Sequence, residues 1–90
     1  MDRIIYVDGT IKKIAPKNGK FYELSELREI VDGYVELVPI SSTQYAVINE
    51  EGKILNLPIN RLATLDYYTT LYANDYFVGN VLICDKNHIV

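Results

Sequence analysis

Tryptophan is missing from this 90-residue chain, and cysteine, methionine and histidine occur once each. A single cysteine, Cys84, closes no internal disulfide, so no disulfide framework exists and a reducing compartment is expected. Cys84 follows Val81, Leu82 and Ile83, surroundings that suit an inert core thiol better than a nucleophile. One cysteine and one histidine, His88, without CxxC or HxxxH spacing, build no closed zinc site. The acid pair Glu50-Glu51 lacks the alternating ligands of a calcium loop, so no metal is expected. Glycine is sparse and isolated, at 9, 19, 33, 52 and 79, which excludes a phosphate-cradling loop and a dinucleotide fingerprint. No cofactor is expected. No apolar run nears the roughly 20 residues of a membrane span. The run at 4–7 is too short for a signal-peptide core, so no membrane role is expected and the cytoplasm is the expected location.

Positive charge is also short. The net charge is −3, which argues against non-specific nucleic-acid binding, where a basic footprint supplies most of the affinity. The imbalance is uneven. Residues 1–20 carry five bases (Arg3, Lys12, Lys13, Lys17, Lys20) against Asp2 and Asp8, a balance of +3; the remainder carries four bases and ten acids, a balance of −6. The basic stretch reads as a solvated hairpin face or as a small patch for an anionic partner.

What is present is a core and a strand-rich pattern. Apolar residues make up 49% of the chain, enough for one domain over residues 1–90. Two β-prone runs flank Asp8-Gly9, which predicts a hairpin with a type I′ turn. A short helix should follow, capped by Ser25, with Leu27, Ile30 and Val31 on one stripe and Gly33 in the left-handed stop position. Residues 34–40 predict a strand that Pro39 places at an end or an edge. Residues 45–49 predict another, with a turn at 50–52 and a possible return strand at 53–55. Asn60 should cap a second short helix with Leu62 and Leu65 inward. A last strand spans 76–84, with a bulge at Gly79, and 85–90 reads as a tail. The fold class is α+β: a small, mostly antiparallel sheet of about five strands with two short helices over one face.

Tyrosine is plentiful, at 6, 22, 34, 45, 67, 68, 72 and 76. Tyr suits strand surfaces, but the group Tyr67, Tyr68, Tyr72 and Tyr76 is hard to bury entirely in a chain this short. It is expected to meet a ligand or a second copy, and a homo-oligomer, most simply a dimer, is expected.

Four stretches in order carry a resemblance: Val31-Asp32-Gly33-Tyr34-Val35-Glu36-Leu37-Val38-Pro39, Val47-Ile48-Asn49-Glu50-Glu51-Gly52-Lys53, Leu57-Pro58-Ile59-Asn60-Arg61-Leu62-Ala63-Thr64 and Val78-Gly79-Asn80-Val81-Leu82. Together they resemble the family called domain of unknown function 3846, from about Ile4 to Asp85. The resemblance implies a small accessory protein of phages and mobile elements, working in the cytoplasm of a bacterial host and lacking an assigned activity. Among the polar residues of these motifs, Asn49 and Glu50 suit a turn and Asn60 suits a helix cap. The functional reading groups Asn49, Glu50, Lys53, Asn60, Arg61 and Tyr34 around one pocket. There a helix start and two cations would receive phosphate and a tyrosine would stack on a base.

The expected function is non-catalytic binding and sequestration of an anionic, nucleotide-like signal of host defence. The alternative is inhibition of a host defence enzyme through an acidic face. No catalytic constellation is visible, so no enzymatic activity is expected. The strand-rich reading is checked by far-UV circular dichroism, in which strand should exceed helix.

Overall fold

A computed structural model describes residues 1–67, 71 and 75–90. Five strands, β1 (Arg3–Ile5), β2 (Ile11–Lys13), β3 (Val35–Pro39), β4 (Gln44–Asn49) and β5 (Val81–Asp85), form one sheet. Two helices, α1 (Leu24–Val31) and α2 (Arg61–Asp66), complete the α+β fold. The strand order is β2-β1-β5-β4-β3, and every neighbouring pair is antiparallel.

The strand that comes after both hairpins in the chain takes the centre. Val81, Leu82, Ile83 and Cys84 are all buried, and alternate residues of a strand point to opposite faces. Leu82 and Cys84 join Ile4, Val47, Leu27 and Val31 in one core. Val81 and Ile83 join Ile5, Ala46, Phe77 and Ala63 in another. The helices therefore lie on opposite faces, α1 over one and α2 over the other, and not over a single face as expected. A strand apolar on both sides needs cover on both sides.

Local chemistry differs from the sequence reading in several places. The first hairpin turns over three residues: Gly9 N–H donates to Tyr6 O at 3.0 Å and Tyr6 N–H to Thr10 O at 2.9 Å. Gly9 alone takes a positive φ, +89°, so this is a type I turn closed by a left-handed glycine rather than type I′, which needs two such residues. Helix α1 is capped by Glu23, not Ser25. Glu26 reaches back to accept from the Glu23 N–H at 3.0 Å and also accepts from Lys17 N–H at 3.1 Å, which ties the preceding loop to the helix. At the other end Asp32, not Gly33, is left-handed, with φ 57° and ψ 48°. Gly33 is needed for another reason: a Cβ there would lie 2.6 Å from Asn49 Nδ2.

Strand β3 is an edge strand ending at Pro39, as expected. Residues 53–55, expected as a return strand, form turns. In α2 Ala63 is fully buried and Leu62 packs half-buried against the same core, as expected, while Leu65, expected inward, is 69% exposed. The final strand is narrower than 76–84: Val78 makes an isolated bridge with Ile59, and β5 begins at Val81. Residues 85–90 are docked, not trailing. A 3₁₀ turn at Lys86–His88 follows β5, and Tyr22 N–H donates to His88 O at 2.9 Å.

Asn60 is the knot between α2 and the sheet. It is completely buried, its Nδ2 donates to Ile5 O at 2.8 Å and to Gly79 O at 2.9 Å, and its Oδ1 accepts from Ala63 N–H at 3.1 Å. Replacing Asn60 with alanine orphans two carbonyls and an N–H. Urea unfolding should show a loss of about 3 kcal/mol with little change in the denaturant slope.

Candidate functional site

The residues singled out in the sequence do not converge on one place. Asn49, Glu50 and Lys53 line a groove of about 430 Å³ between β3, β4 and the segment around residues 75–78. Asn60, Arg61 and Tyr34 are not among its walls. Asn60 is consumed by the contacts just described. Arg61 is exposed at the start of α2. Tyr34 is 57% exposed and lies under Arg28, whose Cζ is 5.2 Å from the ring centre.

Asn49 sits in the groove wall but faces inward chemically. It is buried, donates to Val31 O at 3.1 Å and Asp32 O at 3.3 Å, and accepts from Glu51 N–H at 2.8 Å. The side chain locks the left-handed end of α1 to the turn after β4. The amide sits where it does because Gly33 allows the close approach.

Lys53 is engaged. Its ammonium pairs with the Asp75 carboxylate and lies 4.5 Å from the Tyr76 ring centre, a cation–π arrangement. The Lys53 hydrogen bond and the Tyr76 N–H hold the Asp75 carboxyl below its ordinary value. The other charged groups in the groove, Glu36 and Glu50, are acidic. Apolar walls come from Val38, Ile48, Ile54, Phe77 and Val78. Three carboxylates face one ammonium that is already bound to one of them, so the groove attracts cations and repels phosphate.

The four tyrosines grouped in the sequence divide. Tyr68 and Tyr72 lie outside the described residues. Tyr67 packs against the α2-side core, and its hydroxyl accepts from Arg3 Nη2. Tyr76 is 39% exposed beside the groove.

Sequence reasoning missed one polar cluster. Asp2 is buried and its carboxylate accepts from Tyr22 Oη at 2.7 Å, Asp85 N–H at 3.0 Å and pairs with His88 Nδ1 at 2.6 Å. His88 and Asp2 are 86 residues apart, and no local pattern announces such a pair. The cluster fastens the segment after β5 to the start of β1. Burial and the adjoining Asp2 carboxylate push the Tyr22 hydroxyl well above its ordinary value. Burial also pushes the Cys84 thiol up to about 12. Among the described residues no group of three or more His, Cys, Asp or Glu could hold a metal ion, and no helix is long and apolar enough to cross a membrane.

A family model described as Domain of unknown function (DUF3846) matches residues 1–89. The chain belongs to this family. No curated protein and no solved structure matches it. In this DUF3846 chain the motif residues Gly33, Asn49 and Asn60 are accounted for by packing and hydrogen bonding, which leaves Asp32, Glu36, Glu50, Glu51, Lys53 and Arg61 as the exposed charged residues of the motifs.

The pKa shifts set a pH dependence. Below the ordinary thiol value near 9.0, Cys84 is protonated whether folded or not, and its contribution is complete. Above it the unfolded chain ionises while the native chain does not, so stability falls as pH climbs toward about 12. Tyr22 adds to the loss above 10.0. Urea midpoints should be flat just below pH 9 and fall above it. In Cys84→Ala the first part of that fall should flatten.

Proposed function

We propose that the protein acts by binding rather than by chemistry, and that its groove receives a basic, partly apolar segment of a protein partner. The observation that carries this reading is the state of Lys53: its ammonium is held by Asp75 and Tyr76, in a groove whose remaining charges are Glu36 and Glu50. With Asp75 and Tyr76 taken by Lys53, an incoming lysine or arginine would meet the Glu36 and Glu50 carboxylates, beside an apolar wall for a neighbouring side chain. Cys84, His88 and Asp2 are occupied in the interior or in the docking of residues 85–90, which favours a non-catalytic role. The phage and mobile-element setting implied by the family resemblance makes a host defence enzyme the class of partner we favour, with this chain as its inhibitor through an acidic face.

Sequestration of a nucleotide-like anion is the second reading. Tyr76 offers a ring for stacking, but Lys53 would first have to leave Asp75, and Arg61 does not line the groove. Immobilised protein exposed to bacterial lysate, with retained proteins and heat-released small molecules both identified, separates the two. The expected result is a retained protein whose binding weakens by about 1 kcal/mol, roughly fivefold, in Glu50→Lys, with a shallower salt dependence. Calorimetric heat with cyclic dinucleotides that are recovered intact, and no retained protein, would favour sequestration; a chemically altered ligand would overturn the non-catalytic reading.

A further inference from the structure

The basic segment of residues 1–20 finds no role in the groove, and its position in the sheet suggests one. Among the described residues, strands β2 and β3 are the two edges of the sheet. Hydrogen-bonded and non-bonded pairs alternate along an antiparallel ladder. Tyr6 N–H bonds Thr10 O and Ile14 N–H bonds Asp2 O, so within β2 it is Lys12 that bonds β1, opposite Ile4. The main-chain groups of Ile11 and Lys13 are left on the free edge. At the other side, Glu50 N–H bonds Tyr34 O and Ile40 N–H bonds Gln44 O, so Glu36 and Val38 bond β4. The main-chain groups of Val35 and Leu37 are left on that free edge, along with the carbonyl of Pro39.

We propose that these edges fit one another and that a second copy of this chain adds its β2 antiparallel to β3. With Leu37 opposite Ile11 of the second copy, Val35 falls opposite Lys13 and Glu36 opposite Lys12. Both free N–H groups of each strand then meet a free carbonyl, and no donor is orphaned. Pro39, which has no N–H, lies beyond the paired stretch. The side chains match as well. Leu37 and Ile11 are exposed apolar residues placed side by side, and exposed Glu36 meets exposed Lys12, an opposite-charge cross-strand pair. The alternatives are poorer. Two β2 strands would set Lys12 against Lys12. Two β3 strands centred on Leu37 would leave each Val35 carbonyl facing a proline nitrogen. Edge lysines and prolines commonly guard against pairing; here the lysines repel a like edge and attract the acidic one. Because the two edges are different surfaces, the contact is head-to-tail and builds a chain or a closed ring rather than a simple two-fold dimer.

This inference shares Glu36 with the partner groove but does not rest on it: it is tested by the mass of the purified protein alone, whereas the groove is tested by a retained partner. Light scattering and sedimentation from low to high micromolar concentration should show a mass that rises with concentration and falls with added salt. Lys12→Glu, which leaves the groove untouched, should abolish association, and so should Glu36→Lys. The double variant K12E/E36K, which restores opposite signs, should recover it, as should mixing the two single variants. Circular dichroism of each variant separates loss of contact from loss of fold. A wild-type chain that stays monomeric throughout, or an association that survives Lys12→Glu, overturns the proposal.

Discussion

Everything in this fold is arranged around a strand with no solvent side. Each of Val81, Leu82, Ile83 and Cys84 is buried, so β5 can sit only at the centre of the sheet and only between two covering layers. At about 25 cal/mol per Å² of apolar surface removed from water, leaving either face open would forfeit much of a small domain's margin of stability. That demand sends α1 and α2 to opposite faces, divides the interior into two cores and leaves the short strands β2 and β3 as the margins.

The elements were legible where a residue's own chemistry decides its conformation. Pro39 cannot serve an interior ladder and marks an edge. Asn60 caps a helix because its oxygen reaches Ala63 N–H. The unbroken apolar run before Cys84 places the thiol in the core. What could not be read depends on distant partners. The periodicity of β5 allows burial on both faces, but nothing in the run says which helix covers which. Gly33 looks like a helix stop because glycine tolerates positive φ; the constraint on it comes instead from Asn49, 16 residues later, whose amide occupies the space a Cβ would need. Leu65 fits an apolar stripe, yet a six-residue helix seated through Ala63 turns it to solvent.

The same division separates motif from site. Asn49 and Asn60 are polar, and each lies in a stretch that carries the family resemblance. Either could stand for ligand chemistry in a linear reading. In the folded chain both are spent on main-chain groups, one tying α1 to the turn after β4 and the other tying α2 to β1 and to Gly79. Their spacing records the geometry of two knots. The groove's character comes instead from Glu36, Glu50, Asp75 and Tyr76, drawn from three separate parts of the sequence. Lys53, which suggested an anion site when read beside Arg61, reverses its meaning once Asp75 is seen to hold it.

The order in which the strands are made bears on how such a chain reaches its fold. Each hairpin, β1–β2 and β3–β4, closes locally, and hairpins form in roughly 1–10 μs. The strand that must slide between them is synthesised some 30 residues after β4, on the order of seconds later at ribosomal speed. During that interval β1 and β4 each expose an inner margin lined with Ile4, Ile5, Ala46 and Val47. A nascent chain of this kind carries two sticky, unfinished ribbons whose correct partner does not yet exist, and a chaperone that shields them would act in the window before residue 81 emerges.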